Sequence, residues 1–423
     1  MSVFHNIKNI QDVVDWGMCV GCGTCFAACN KDAVSLVNIE SVGIRPKFNI
    51  TICSFCNECL SICPGYIVDG DMVTGERPMT KEADIEFGPT LEIWEGYAVD
   101  PEIRFKGSSG GVLSALSLYC LENENMDFVL HAGMDNEHPW ENKTYQSRTR
   151  TDISARTGSR YAPASPCEGL KYIEKNNRQC VFIGKPCDVA GVTMLRRQRP
   201  LLDRNIGLVL GFFCAGQPST QGTLDIIKLL DINKKDINEL RYRGEGWPGN
   251  FKVIYSNYTK ESQLSYKDSW GKLNKYCSFR CRICPDGLGR TADISCGDAW
   301  DLYSGVNNQG HSIVFVRTNR GQKILHRAID ANYIELKQVS SNNVLEAQIN
   351  LLGKRKDIFG RILAMKLLFI PTPKYKGFSL FRSWFKLPIF HKVRSILGTL
   401  RRLVQRDLWH QQRYFINQDK FKK

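Results

Sequence analysis

Apolar and polar positions follow three different patterns along this 423-residue chain. Residues 1–75 hold short apolar runs, such as Ala33–Val37, among many turn residues, and read as a small metal-nucleated domain. From about Leu91 to Lys337, short apolar runs alternate with segments of helical period. The runs Phe128–His131, Val181–Ile183, Ile206–Phe213, Ala292–Ser295 and Ile313–Val316 predict strands. Gly111–Leu121, Val189–Arg197, Thr220–Leu230 and Gly321–Asp330 predict helices. Strands alternating with helices imply an α/β domain. A connector with Gly70, Gly75, Pro78, Gly88 and Pro89 separates the two regions. Residues 342–370 are predicted helical. Between Lys392 and Arg413, Val393, Ile396, Leu397, Leu400, Leu403, Val404 and Leu408 recur at helical spacing, with Arg394, Arg401, Arg402 and Arg406 among them. The organisation expected is a unit over 1–75, a body over 85–340, and a helical region with a basic tail over 341–423.

Charge sharpens this division. The net charge is +14, but Lys374–Lys423 carries 13 Lys/Arg against two Asp. The basic character therefore belongs to the tail, which argues against a nucleic-acid partner for the whole protein. A basic amphipathic helix can lie on an anionic membrane or pack on its own protein, and periodicity alone does not choose. The first 18 residues mix Lys8, Asp12 and Asp15 with apolar positions, so no secretion signal is visible. The longest apolar run, Ile362–Ile370, is too short for a membrane span and contains Lys366. The expectation is a cytoplasmic chain, with peripheral contact at the inner face of the membrane as the role open to its tail. Seventeen cysteines, an odd number, argue against a disulfide framework. A reducing cytosol keeps such thiols free for metal.

Eight of those cysteines form a repeat. Cys19-x2-Cys22-x2-Cys25-x3-Cys29 is followed by Cys53-x2-Cys56-x2-Cys59-x3-Cys63-Pro64. Three cysteines at this spacing wrap one 4Fe–4S cubane, and the fourth points away to the other cluster. Cys19, Cys22 and Cys25 should therefore share a cluster with Cys63, and Cys53, Cys56 and Cys59 with Cys29. Gly21 and Gly23 permit the close backbone approach of such a turn. A pair of zinc sites is the alternative, and the repeated four-cysteine run is the more specific signal. Asn30 replaces the proline usual after the first run, a position that holds no ligand.

Four motifs mark the body. Lys106-Gly-Ser-Ser-Gly-Gly111 precedes a helix and suits an anion such as a phosphate, although a plain cap by Ser108 or Ser109 explains it too. Cys180-Val-Phe-Ile-Gly-Lys-Pro-Cys187-Asp188 reads as strand, turn and helix start, where a thiol pKa is lowered. Gly207–Ser219 repeats that layout, with Cys214 at the strand end. Cys277-Ser-Phe-Arg-Cys281-Arg-Ile-Cys284 leads to Asp293-Ile-Ser-Cys-Gly-Asp298. Turns that follow parallel strands share one sheet edge. Cys187, Cys214, Cys281 and Cys284 can thus face a common point and hold a third metal centre, zinc or cluster. Cys277 or Cys296 could replace one of them, and Cys187 could be a lone reactive thiol.

At Ser108–Gly111, Gly158-Ser-Arg-Tyr161, Gly184-Lys-Pro-Cys187, Phe213–Ser219, Gly246-Trp-Pro-Gly249, Cys281-x2-Cys284 and Asp293–Asp298, the chain resembles the coenzyme F-420 hydrogenase/dehydrogenase beta-subunit family. The plant 7-hydroxymethyl chlorophyll a reductase is of the same family. The match spans roughly Leu91 to Lys337. The tail looks like the branch of that family found among bacterial surface-polysaccharide genes. The resemblance implies an α+β ferredoxin-like domain with two 4Fe–4S clusters, fused to an α/β flavin-binding domain with a helical basic C-terminal extension. It implies FAD or FMN, held by Ser108, Ser109, Gly110, Gly111, Gly158, Ser159, Arg160 and Tyr161. It favours a 4Fe–4S cluster for the third centre. Asp188 stands where the family usually has Gln, and Cys296 where it has an aliphatic residue.

The function expected is an oxidoreductase that joins cluster electrons to flavin hydride chemistry. Its redox partner would be a ferredoxin or a deazaflavin such as coenzyme F-420, and its substrate is organic. The alternative is an electron-transfer subunit that wires a partner enzyme, and a third reading is a redox sensor. Trp247 and Trp270 are candidates to stack on the flavin, although aromatic residues are more often core. His311, Cys120 and Cys180 read as structural.

Overall fold

The computed structural model describes residues 7–72, 86–300 and 309–415. Part of the expected connector, with Gly75 and Pro78, lies outside the described residues. The N-terminal stretch is built on an antiparallel hairpin of β1 (Val34–Ile39) and β2 (Gly43–Phe48), with β3 at Ile67–Asp69. Short helices Thr24–Ala28 and Glu58–Ser61 follow the two cysteine turns. Gly21 has a φ of +70°, and a side chain there would stand 2.7 Å from the Ile44 carbonyl oxygen on β2.

Next come β4 (Glu92–Ala98), β5 (Val129–Met134), β6 (Asn142–Ser147), β7 (Cys180–Gly184) and β8 (Ile206–Phe212). A separate antiparallel sheet of β9 (Ile237–Arg241), β10 (Asn250–Tyr255) and β11 (Lys260–Ser265) is inserted before β12 (Ile294–Asp298), β13 (Ser312–Val316) and β14 (Ile334–Gln338). The main sheet has eight strands in the order β14-β4-β13-β12-β8-β7-β5-β6. Its centre, β12-β8-β7-β5, is parallel, and every flanking pair is antiparallel. The expected α/β body is thus a mixed sheet. Strands β4, β6, β9, β10, β11 and β14 had no apolar run to announce them.

Helices cover both faces, and the strands sort their side chains by alternation. Val129, Val181 and Leu208 turn to one face, where helices Val112–Asn123 and Asn319–Asp330 supply Leu116, Cys120 and Leu325. Leu130, Phe182 and Val209 turn to the other and meet Val189 and Val192 of helix Pro186–Arg196. Cys120 is a core residue, as its helical spacing predicts. The N-terminal stretch lies over this second face, adding Ala27, Ala28 and Ile62 to the same apolar cluster. A side chain at Gly191 would come within 2.3 Å of the Thr24 hydroxyl, so the two helices touch where glycine leaves room.

After β14 the chain runs through helices Ser341–Ala347, Ile349–Lys356 and Ile358–Leu367, as the pattern over 342–370 predicts. Strand β15 (Lys374–Lys376) then pairs in parallel with β3. Helices Leu380–Phe385 and Ile389–Gln405 follow. The tail therefore clamps the N-terminal stretch to the body. Arg280 adds to the clamp, donating hydrogen bonds to the carbonyls of Pro64 (2.9 Å) and Gly65 (3.3 Å). Among the described residues no helix is long and apolar enough to cross a membrane.

Edge pairing depends on Gly96 of β4. A side chain there would stand 2.0 Å from the Glu335 carbonyl oxygen of β14. Gly96→Val should destabilise the protein by about 3 kcal/mol, the cost of overpacking a fixed backbone. An unchanged denaturation midpoint would contradict this packing.

Candidate redox site

The carboxyl ends of β7, β8 and β12 open on a cavity of about 290 Å³. Register explains the convergence. Gly184 pairs with Gly211, Cys296 with Phe212, Asp298 with Ser312, and Ser312 with Gly96. The strand-end motifs are thereby aligned along one edge. Ser108, Ser109 and Gly111 enter from the helix before which they stand. Gly158, Ser159, Arg160 and Tyr161 close the other side. The two motifs are tied together, since the Ser159 N–H donates to the Ser108 hydroxyl at 2.6 Å. Ser109 and Gly110 are pinned to the sheet by the Ser312 hydroxyl, at 2.8 and 2.9 Å.

These eight expected residues do not play equal parts. Helix Val112–Asn123 starts after Gly111, with no side-chain cap, so its first turn borders the cavity with free N–H donors. Neither Ser108 nor Ser109 caps it. Gly110 stands behind the wall, where a side chain would meet the Gly96 carbonyl oxygen at 2.5 Å. Arg160 spends its donors on Asn142 and on the carbonyls of Leu240 and Pro139. It holds the wall in shape. The Tyr161 and Trp270 rings lie 4.9 Å apart and tilted by 47°, and both line the cavity. Trp247 instead donates to Asp298 at 2.9 Å and stands outside the lining. His311 pairs with Glu95 and Arg104, a structural role.

Beside this cavity lies a second, of about 40 Å³, lined by Cys187, Cys214, Cys281 and Cys284. Cys19 of the first N-terminal run reaches it as well. Cys277 is buried outside its lining, and Cys296 opens on the larger cavity instead. Burial pushes the Cys187 thiol well up, against the pull of Lys185, so the helix start does not lower it. Burial likewise raises Cys214, to about 12. Burial also opposes ionisation of Cys281, but Lys354, the Ser278 hydroxyl and the Gln217 N–H outweigh it and bring the thiol below its ordinary value. Lys185, Arg280 and Lys354 line the same pocket. Arg45 Nε, Arg280 Nη1 and Gln217 Oε1, all on pocket residues, are buried without a hydrogen-bond partner. Four sulfurs, a cationic surround and two orphaned N–H donors fit an anionic metal–sulfur group.

The N-terminal cysteines fall into a buried set and a less buried one. Cys19, Cys22, Cys25 and Cys63 are all buried. Burial raises Cys63 above its ordinary value, and Cys22 and Cys19 add to the rise, so Cys63 belongs with the first run in space. Cys59 is raised to about 11 by burial and then by Cys56 and Cys53. Cys56 is exposed, and Cys53, Cys59 and Cys29 are half-buried.

Several site residues carried no signal along the chain. Arg243 makes a buried bidentate pair with Asp298, at 2.8 and 2.7 Å, and Tyr266 stacks on Trp300 beside it. Lys185 is held protonated, because Asp188 at 2.6 Å outweighs the penalty of its burial. Cys167 touches the first cysteine run, its N–H donating to the Cys22 carbonyl at 3.1 Å. Each is a lone residue made relevant by folding. Only the GKPC turn placed Lys185 in a recognisable motif.

The arrangement defines a mixed α/β protein with a cysteine centre at the carboxyl edge of its sheet. The same fold occurs in the F420-reducing [NiFe] hydrogenase complex of Methanosarcina barkeri, in a chain with a TM-score of 0.53 and 21% identity, covering 67% of this chain and 94% of that one. The chain belongs to the coenzyme F420 hydrogenase/dehydrogenase beta-subunit family. The family's N-terminal part matches residues 93–171 and its C-terminal part residues 177–342. The chain is 27% identical to the coenzyme F420 hydrogenase subunit beta of Methanococcus voltae, over 57% of this chain and 82% of that one. It is 22% identical to one of the subunits of the F(420)H(2) dehydrogenase of Methanosarcina mazei, over 74% and 83%. It is 23% identical to the coenzyme F420-dependent sulfite reductase of Methanocaldococcus jannaschii, over 82% of this chain and 50% of that one.

His131 lines the cavity and is held near a pKa of about 4, chiefly by burial and then by Arg156. The unfolded chain takes up this proton near pH 6.5, whereas the folded chain does not until about pH 4. Stability should therefore fall as pH drops through this window, by up to about 1.4 kcal/mol per unit from this group. His131→Gln should flatten that part of the profile. Denaturant midpoints measured across the window decide, and equal slopes for both proteins would contradict the assignment.

Proposed function

We propose that this chain is an iron–sulfur flavoprotein oxidoreductase, joining single-electron carriers to a deazaflavin or organic substrate. One observation carries the reading. Lys185, Cys214, Gly216 and Gln217 form a wall common to the four-cysteine pocket and the large cavity, and Cys19 reaches the far side of that pocket. Cysteines therefore lead from the surface set at Cys53, Cys56 and Cys59 to the buried set, to the pocket, and to the cavity. Bound clusters would supply single-electron steps, and a bound flavin the exchange between these and hydride.

The residues have distinct tasks in this reading. The uncapped first turn after Gly111 and the Ser109 hydroxyl would receive a phosphate. Tyr161 and Trp270 offer apolar ring faces to a planar ring. Lys185, Arg280 and Lys354 would offset the negative charge of thiolates, which burial otherwise disfavours. Cys187, Cys214, Cys281 and Cys284 would be the ligands of the third cluster. The relatives named for coenzyme F420 support a deazaflavin as the hydride partner. A second reading, an electron-transfer subunit wiring another enzyme, is favoured because those relatives are named as subunits.

Anaerobic purification with iron, sulfide and flavin quantified per chain tests the reading. Three clusters require ~12 iron per chain and two require ~8. A reconstituted protein with ~8 iron and no zinc would remove the third centre. Cys63→Ala and Cys29→Ala should damage opposite N-terminal clusters by electron paramagnetic resonance, and loss of the same cluster in both would reject the crossed assignment. Turnover by the isolated chain separates the enzyme from the electron-transfer subunit.

Ser109→Trp places an indole in the large cavity and should release flavin while the iron content stays at the wild-type level. Full flavin retention in that variant would move the flavin site elsewhere.

A further inference from the structure

Helix Ile389–Gln405 packs on the protein the wrong way round for a surface helix. It buries Ser395 and Thr399, which are 6 and 1% exposed, together with Leu403. It exposes Ile389, Phe390, Leu397 and Val404, at 74, 68, 58 and 59%. Ile389, Val393, Leu397, Leu400 and Val404 fall within an arc of about 80° on a helix of 3.6 residues per turn. The apolar stripe thus faces away from the body, with Leu400 half-buried within it. Phe381 and Phe385 of the preceding helix are also exposed, at 56 and 64%.

The orientation is fixed by contact and is not free to invert. A side chain at Gly360 would lie 2.0 Å from the Ser395 hydroxyl, so the two helices approach where both residues are small. Trp384 Nε1 donates to that hydroxyl at 3.1 Å, and the Thr399 hydroxyl donates to the Ser395 carbonyl at 2.7 Å. Leu403 is locked among Ile283, Met365 and Ile370. Rotating the helix to hide its apolar stripe would break its contacts with Gly360, Trp384, Ile283, Met365 and Ile370.

Charge identifies what the stripe fits. Between Lys374 and Phe415 there are ten Lys/Arg and a single acidic residue, Asp407. Arg394 and Arg401 are exposed along one border of the stripe, and Arg382 on the preceding helix and Lys386 just after it are exposed too. An exposed apolar stripe on a long basic helix, flanked by aromatic rings, is complementary to the boundary between acyl chains and anionic headgroups. The observations point away from a protein groove, because the stripe is a convex helix face continuous with a second exposed helix. We infer that helices Leu380–Phe385 and Ile389–Gln405 form a docking face for an anionic lipid surface. This inference stands apart from the redox reading, since it uses none of the cysteine or cavity residues. Through Leu403 and Ile283 the docked face would lie directly behind the Cys281–Cys284 turn.

Vesicle co-sedimentation of the full chain tests it, with phosphatidylcholine vesicles alone or mixed with phosphatidylglycerol. The wild type should partition onto the mixed vesicles, less at high salt, and stay in solution with phosphatidylcholine alone. The double variant Val393→Asp, Leu397→Asp should lose partitioning. The double variant Arg394→Glu, Arg401→Glu, which leaves the apolar stripe intact, should weaken it by about tenfold or more. All four positions are exposed, and wild-type circular dichroism checks that each variant folds. A wild type that ignores mixed vesicles overturns the inference, as does equal partitioning of the wild type and both variants. A wild type that ignores vesicles but self-associates, with Val393→Asp, Leu397→Asp dispersing it, overturns it in favour of a second copy on this face.

Discussion

The parallel pairing of β7 with β8 places Gly184 beside Gly211, and both cavities depend on that register. Two strands that end level send their following turns to the same edge, so Cys187 and Cys214 arrive together. Glycine at the strand end lets helix Pro186–Arg196 start close to the sheet. A side chain at Gly184 would stand 2.7 Å from the Asp188 side chain and 2.8 Å from Phe182. A one-residue slip of either strand would turn its apolar residues to the opposite face and separate the cysteines.

A second constraint is electrostatic. The cysteine pocket is buried, and burial disfavours thiolate. Lys185, Arg280 and Lys354 stand around it, and each is held by a different part of the chain. Lys185 is fixed by Asp188 and by the Ala164 carbonyl at 3.0 Å. Arg280 is fixed by the carbonyls of Pro64 and Gly65, and Lys354 by the Ala215 carbonyl at 2.9 Å. The positive side chains are thus secured by folding. One of them requires the N-terminal stretch to be docked. That stretch is more than a tethered module, since Cys19 lines the pocket and β3 completes a sheet with β15.

The legible parts of the fold were those with strong local signals. The apolar runs at Cys180–Gly184, Ile206–Phe212 and Ser312–Val316 are buried on both sides and announced themselves. The edge strands Asn142–Ser147 and Ile334–Gln338 are polar on an exposed side, and β9–β11 form a small separate sheet, so none had a continuous apolar run. At the site, the ordered motifs named most of the cavity wall. They could not say that Gly110 serves packing, that Arg160 spends its donors on the body, or that burial overrides the helix start at Cys187. Each of those outcomes depends on neighbours distant in sequence.

The amino-acid order by itself determined the grouping of cysteines into runs, the helix and strand periods, and the concentration of basic charge in the tail. These are local properties, set by spacing along one chain. Tertiary structure decided between the cysteines that spacing left open: Cys277 and Cys296 stay outside the pocket that Cys187, Cys214, Cys281 and Cys284 line, and Cys19 joins it, because these groups meet only when the sheet edge forms. It decided the pairing of Arg243 with Asp298, which needs an inserted sheet to come back to β12. It also decided which face of the tail helix is hidden. Periodicity marked the apolar stripe without saying whether it would face the body, and close packing of Gly360 against Ser395 turned the small polar side inward. Steric fit between two particular helices is not written in the period of either.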